Sequence, residues 1–167
     1  MPGDFTGAFT ALREILQRHA SGMIVLTDTP TEYSLATPAQ VSVGKPLWFG
    51  AVMLKKSAVT YHLMPLYFNP KLQSAVPESL QRRKQGKTCF NFQRPDAELF
   101  TQLDELTRLA RDGFERHGLL QPGDATARID AAMRSAGTDT AALAQVHRDK
   151  GKAATAKRSK TIKAKNK

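Results

Sequence analysis

Four polar side chains in two strand-like runs are placed to do chemistry together. One is a histidine in the run 58–64, and the others are an amine, a thiol and an amide that alternate along the run 87–92: His62, Lys87, Cys89 and Asn91. Successive side chains of a strand point to opposite faces, so the last three share a face opposite Phe90 and Phe92. If helices cover the phenylalanine face, all four polar groups meet on the other one. The sequence therefore predicts a candidate ligand-binding surface on a rigid sheet.

The single cysteine allows two interpretations. In the first, His62 activates the Cys89 thiol and Asn91 orients the imidazole ring, as in a nucleophilic cysteine pair. In the second, Cys89 is a small buried side chain and His62 is satisfied by a backbone carbonyl. No known nucleophile motif surrounds Cys89. The second interpretation is favoured, and the sequence predicts binding rather than catalysis.

Carboxylates offer another kind of site. The four histidines are widely separated, and the chain has no HxxxH or CxxC spacing, so no zinc site of these types is predicted. A hard cation prefers oxygen ligands and tolerates loose geometry. The weak candidates for holding one are surface acids: Glu14, Asp96 and Glu98, with Asp28 and Glu32 as further acids. The alternative is that these acids are simply solvated.

Most of the positive charge is concentrated at the C-terminal end. The whole chain carries +10, and the segment 148–167 has nine Lys or Arg against one Asp, a net charge of +8. This segment has too few large apolar residues to fold alone, so we predict a disordered tail. Spaced cations can follow phosphates without reading bases, which predicts non-specific DNA or RNA binding, with a solubilising role as the alternative. The predicted contacts include Lys150, Lys152, Lys157, Arg158, Lys160, Lys163, Lys165 and Lys167.

Two amphipathic helices and five strands are predicted to position these groups. The helices span about 4–20 and 96–118, where apolar residues recur at spacings of three and four. The strand-like runs are Met23–Thr27, Glu32–Thr37, Leu47–Lys55, Ala58–Met64 and Lys87–Phe92. We also expect a polar connection over Pro38–Gly44, a short helix over Pro77–Gln85, and a bulge or close approach at Gly50. The predicted fold is α+β, with an antiparallel sheet of about five strands and the N-terminal and C-terminal helices packed on one face.

The chain divides into three predicted regions: an α+β domain over 1–118, a weakly helical Ala-rich extension over 119–147, and the disordered Lys-rich tail over 148–167. One cysteine excludes an internal disulfide framework and fits a reducing compartment. The longest apolar run, Leu47–Leu54, is shorter than the roughly 18 residues of a membrane span. The first residues lack the basic and apolar segments of a signal peptide. We expect a cytoplasmic protein without a membrane association.

The central segment resembles the YdhG-like family of bacterial domains of unknown function, also described as domain of unknown function 1801. The resemblance covers about Phe9 to Glu115 and is carried by four motifs: Phe49-Gly50-Ala51-Val52, Tyr61-His62-Leu63-Met64-Pro65, Gln85-Gly86-Lys87 and Cys89-Phe90-Asn91-Phe92. It implies an α+β domain with helices on one side of an antiparallel sheet.

One branch of this family includes a frataxin-like intracellular iron chaperone that acts through acidic surface groups. The resemblance therefore implies iron as a candidate ligand, although no cofactor motif is present. The sequence as a whole predicts a non-enzymatic intracellular binding protein with an unidentified small ligand or protein partner. The alternative function is non-specific association with nucleic acid through the basic tail.

Overall fold

The computed structural model describes residues 3–42 and 44–135, which form an α+β fold built on one sheet. The helices are α1 (Phe5–Arg18), α2 (Pro65–Phe68), α3 (Pro70–Ser74), α4 (Glu78–Gln81), α5 (Ala97–Arg116) and α6 (Thr126–Ser135). The strands are β1 (Ile24–Thr29), β2 (Glu32–Ser42), β3 (Lys45–Leu54), β4 (Val59–Leu63), β5 (Lys84–Gln85), β6 (Cys89–Phe92) and β7 (Gly123–Asp124). The predicted fold class is confirmed.

The sheet is open and has the strand order β1-β2-β3-β4-β6-β5, with antiparallel neighbours. The short β7 pairs with β2 in parallel. The described part of the chain thus has seven strands where about five were predicted. The two additional strands are two residues long, too short to carry an alternating pattern.

Two predicted boundaries were wrong. The helix expected over Pro77–Gln85 ends at Gln81, and Lys84–Gln85 instead pair with β6 as β5. The connection expected over Pro38–Gly44 is strand as far as Ser42, which pairs with Lys45 of β3. The β2–β3 ladder is irregular between Ala36 and Gln40. The proline inside this stretch has no N–H to donate, and this made strand continuation hard to predict.

Helices α1 and α5 pack on one face of the sheet. Each begins with an aspartate cap: Asp4 Oδ1 accepts the Gly7 amide at 2.9 Å, and Asp96 Oδ1 accepts the Leu99 amide at 3.1 Å. Large side chains of both helices join the strand residues of that face in one core. Phe92 of β6, for example, meets Phe100 of α5 edge-on, with ring centroids 5.1 Å apart. The opposite face of the central strands is therefore free of these two helices.

A buried hydrogen bond fastens α5 to the centre of the sheet. Tyr61 of β4 is fully buried, and its hydroxyl lies 2.8 Å from Oγ1 of Thr107. The Thr107 hydroxyl donates to the Leu103 carbonyl at 2.7 Å, so the Tyr61 hydroxyl must be the donor of the first bond. Burial raises the pKa of Tyr61, which keeps this donor protonated.

Packing continues past residue 118, the predicted end of the folded domain. Leu119 and Ala125 belong to the hydrophobic core. The Arg128 guanidinium donates to four backbone carbonyls of the preceding loop, those of Gly118, Gln121, Pro122 and Asp124. The extension is thus part of the fold at least to Ser135. The rest of the predicted extension and the whole predicted tail lie outside the described residues.

At the β1 edge of the sheet, apolar side chains are exposed to solvent. Ile24, Val25 and Leu26 are 45%, 50% and 45% exposed. The apolar run that predicted this strand is therefore not a core segment. Its ladder with β2 is irregular between Val25 and Thr27.

Candidate functional site

The predicted meeting of polar side chains occurs on the sheet face that α1 and α5 leave free. His62 of β4 pairs directly with Cys89 of β6, and Thr60 pairs with Asn91 two residues along. Directly paired residues project to the same side of a sheet. We call this surface the open face and define it by these residues and one aromatic neighbour: Trp48, Thr60, His62, Cys89 and Asn91.

The thiol and the imidazole are in direct contact. Cys89 Sγ lies 2.9 Å from His62 Nδ1 and 3.8 Å from Nε2, and both side chains are half-buried. Burial lowers the pKa of His62, with a smaller contribution from the Lys55 charge. The imidazole is therefore mostly neutral at pH 7. When the ring proton is on Nε2, the neutral imidazole accepts a hydrogen bond from the Cys89 thiol at Nδ1.

Asn91 belongs to a separate hydrogen-bond chain beside this pair. Its Oδ1 accepts the Thr60 hydroxyl at 2.8 Å, and its Nδ2 donates to Gln85 Oε1 at 2.6 Å. The amide is thus held by Thr60 and Gln85. Its described partners do not include His62, contrary to the ring-orienting role considered for a nucleophilic pair.

Lys87 is displaced from the expected position. It lies in the turn before β6 rather than in the strand, and its Nζ sits 5.5 Å from the centroid of the Tyr67 ring. Its backbone carbonyl accepts the Gln73 Nε2 amide at 2.9 Å. Strand alternation therefore does not extend back to residue 87. Of the four predicted side chains, His62, Cys89 and Asn91 come together.

Trp48 is a member of the open face that alternation alone misses. Its ring centroid lies 6.0 Å from that of His62. Leu35 pairs with Gly50 but the next residue of β2 pairs with Trp48, so β3 has one extra residue at Phe49. This bulge turns Phe49 into the core and Trp48 to the other side. Gly50 signalled the bulge in the sequence, but its effect on Trp48 needed the register.

The backbone next to the bulge is closely packed at Gly50. A Cβ on Gly50 would lie 2.7 Å from the His62 carbonyl oxygen and 3.3 Å from a Leu16 methyl group. The predicted close approach at Gly50 is thus confirmed. The backbone of His62 thus lies against Gly50, which itself packs near Leu16 of α1. The imidazole therefore projects from a closely packed backbone.

Small side chains continue the open face toward β1. Thr27, Ser34, Ala51, His62 and Cys89 form one row across five strands through successive pairs. Ser34 and Ala51 in the middle of this row are 1% and 0% exposed. Beside them, Ala36 pairs with Trp48 and is also buried. The small residues beside the larger Trp48 and His62 side chains are therefore buried.

The candidate carboxylates do not assemble. Asp96 caps α5, Asp28 pairs with Arg13 at 2.5 Å, and Glu14 and Glu98 are exposed on different helices. Glu32 is half-buried in β2. Within 3–42 and 44–135, no three His, Cys, Asp or Glu side chains are grouped so that they could hold one metal ion.

Comparisons with protein-family models, with curated proteins and with solved structures found no match to this chain. The resemblance to the YdhG-like family therefore stays a prediction from its motifs. In the described ranges, no helix combines the length and the apolar character needed to cross a membrane. The tail residues from Lys150 to Lys167 are outside these ranges, so their predicted contacts with nucleic acid also stay a prediction.

Proposed function

We propose that this chain is a non-enzymatic binding protein and that its binding surface is the open face. The observation that carries the proposal is the direct pairing of His62 with Cys89, with Trp48 alongside. These are three chemically distinct groups on adjacent strands, and α1 and α5 cover only the other side. Rigid strands fix their spacing, which favours recognition of one ligand shape.

The chemistry of the open face suits a small ligand with a flat unsaturated group. Trp48 offers a partly exposed indole for stacking. The neutral His62 ring faces Cys89 with Nδ1, so its Nε2–H can donate one hydrogen bond to a ligand. Thr60 and Asn91 add a hydroxyl and an amide that already bond each other and so are held in place. A planar ligand that stacks on the Trp48 indole would also lie close to the imidazole, because the two ring centroids are 6.0 Å apart.

Binding is favoured over catalysis by the state of the histidine. In nucleophilic pairs a third group commonly orients the base, and the amide of Asn91, the candidate for that role, is bonded to Thr60 and Gln85 instead. Desolvation also makes His62 a weaker base than a free imidazole.

Iron and a cytoplasmic location enter the proposal on sequence grounds alone. The YdhG-like motifs support iron as one candidate ligand, whereas the described carboxylates do not converge on a site. The single cysteine supports a reducing compartment.

The test uses the intrinsic fluorescence of Trp48, the only tryptophan of the chain. The full-length protein is titrated with a panel of small planar molecules and, anaerobically, with Fe(II); calorimetry confirms each response. A ligand of the open face should give a saturable change that His62→Ala weakens. Glu115→Gln is the matched control, because Glu115 is an exposed residue of α5 on the other side of the sheet; this variant should leave binding unaltered. Equal affinity in the wild type and in His62→Ala would place the ligand elsewhere and refute the proposal.

The second candidate function is non-specific binding of DNA or RNA through the tail. It is supported by the concentration of nine basic residues in the last twenty positions. It does not compete with the open face for residues, and one protein can have both functions.

A further inference from the structure

A cleft of about 280 Å³ lies at the start of α5 and shares no residue with the open face. Its wall includes Arg83, Gln93, Arg94, Asp96 and Leu99. A second cleft of about 420 Å³ shares three of these residues, Arg83, Asp96 and Leu99. The two clefts therefore adjoin, with Arg83 between them.

Two guanidinium groups of the first cleft are without a partner in the part of the chain that the structure describes. Among the residues described in the structure, neither Arg83 nor Arg94 forms an ion pair or a side-chain hydrogen bond. Arg82, on the wall of the second cleft, differs because it pairs with Glu78 at 2.9 Å. Two like charges on one small cleft repel each other unless an anion lies between them.

The early end of α4 leaves Arg83 available for this cleft. The helix predicted over Pro77–Gln85 would have placed Arg82, Arg83 and Lys84 in its last turn, where cations face the helix carbonyls. In the structure the helix ends at Gln81, and Lys84 enters β5. Arg83 lies between these elements, and its carbonyl accepts the Asn91 amide at 2.8 Å. The backbone contact with β6 fixes the base of the side chain.

The acids near the cleft only partly offset this charge. Asp96 lines both clefts, but one of its oxygens already accepts the Leu99 amide as the cap of α5. Glu98 lines only the second cleft. The first cleft therefore has two cations against one carboxylate. The positive end of a 20-residue helix at the same place adds to the preference for an anion.

We propose that the first cleft binds the phosphate group of a small soluble molecule. Arginine presents a planar fork of N–H donors that matches phosphate oxygens, and Arg83 and Arg94 would supply two such forks. Gln93 also lines this wall; its side-chain Nε2 donates to the Ser57 carbonyl at 3.3 Å, which leaves one N–H of the amide for a ligand. A volume of about 280 Å³ is at the lower end of ligand pockets, so the fitting partner is a small phosphorylated molecule rather than a duplex backbone.

The test is an NMR titration of the ¹⁵N-labelled full-length chain with inorganic pyrophosphate at low ionic strength. We expect saturable shifts of the backbone amides of Gln93, Arg94 and Leu99. Arg83→Gln and Arg94→Gln should each weaken this binding by roughly tenfold, as expected for loss of a charge-assisted hydrogen bond. Arg116→Gln, at the other end of α5, is the matched control and should have no effect.

Asp96→Asn provides an opposite prediction in the same cleft. Asparagine caps a helix about as well as aspartate does, so the fold is retained while the only carboxylate of the first cleft is removed. Pyrophosphate should then bind more tightly. Shifts confined to the basic tail, or equal weakening by Arg83→Gln and Arg116→Gln, would overturn the proposal and leave general attraction to a basic protein. Neither outcome depends on whether the open face binds a ligand.

Discussion

The Sγ atom of Cys89 and the Nδ1 atom of His62 lie 2.9 Å apart, on residues that pair directly across β4 and β6. The contact holds a half-buried thiol against a ring that is mostly neutral. It therefore offers a direct way to distinguish a binding surface from a nucleophilic pair.

We expect native Cys89 to react with iodoacetamide at pH 7 more slowly than a free cysteine does, because the ring shields the sulfur and is a weak base. His62→Ala should speed the reaction by removing the shield. Mass spectrometry at timed intervals measures both rates. A fast reaction that His62→Ala slows would show instead that the imidazole activates the thiol.

His62 should make the stability of the fold depend on pH. Burial, and to a lesser extent Lys55, lowers its pKa below the usual 6.5, so the unfolded chain binds more protons than the folded one between the lowered value and 6.5. The contribution is present in full above pH 6.5 and falls as the pH drops through this window. Urea unfolding from pH 5 to 8 measures the slope. His62→Gln should flatten the slope; an unchanged slope would assign it to other groups.

The Tyr61–Thr107 bond predicts unequal costs for removing its two ends. Tyr61→Phe removes the donor and leaves Thr107 bonded to the Leu103 carbonyl, a loss of about 1 kcal/mol. Thr107→Val strands the buried Tyr61 hydroxyl, which we expect to cost about 1–3 kcal/mol. Denaturant unfolding of both variants gives the order. A larger loss for Tyr61→Phe would contradict the assigned donor.

Two glycine-to-alanine changes should shift stability in opposite directions. At Gly50 the new methyl group would meet the His62 carbonyl at 2.7 Å, and we expect a loss of about 1–3 kcal/mol through strain. At Gly113, inside α5, the nearest atoms are side-chain nitrogens at 3.8 Å and 3.9 Å. Alanine there should gain roughly 0.5–1 kcal/mol through helix propensity. Thermal unfolding of the pair checks both signs, and destabilisation by Gly113→Ala would show that α5 needs the space.

The tail proposal predicts a steep salt dependence. If all nine basic residues of Arg148–Lys167 contact phosphates of a duplex, the slope of log affinity against log salt concentration reaches about −8. Fluorescence anisotropy with a labelled duplex measures it. A chain that lacks Arg148–Lys167 should bind no duplex; undiminished binding by this shortened chain would exclude the tail as the contact.

The main elements of the fold could be predicted because long periodic patterns determine them. The apolar stripe of α5 and the alternation around Phe90 follow from the sequence alone, and both are confirmed. Alternation also predicted that His62 and Cys89 share a face, once helices were assigned to the phenylalanine face, but their direct pairing needed the register of the sheet. Two-residue strands such as β5 have no period to detect, because they are defined by their partners.

The open face was only partly predicted, because parts of the strands around it depart from regular alternation. Alternation assumes a regular ladder, and the bulge at Phe49 breaks it, so Trp48 was missed. Lys87 was placed wrongly because the strand begins two residues later, at Cys89. Its position over the Tyr67 ring depends on contacts between segments far apart in sequence.

The exposed apolar side chains of β1 have a practical consequence for handling the protein. Ile24, Val25 and Leu26 lie on an edge strand whose outer backbone groups are available to another chain. In a concentrated sample, self-association by edge-to-edge strand pairing would begin at this edge. The substitution Val25→Lys would place a hydrated charge on this edge without changing the core, because Val25 is half-exposed. It should reduce aggregation during long measurements.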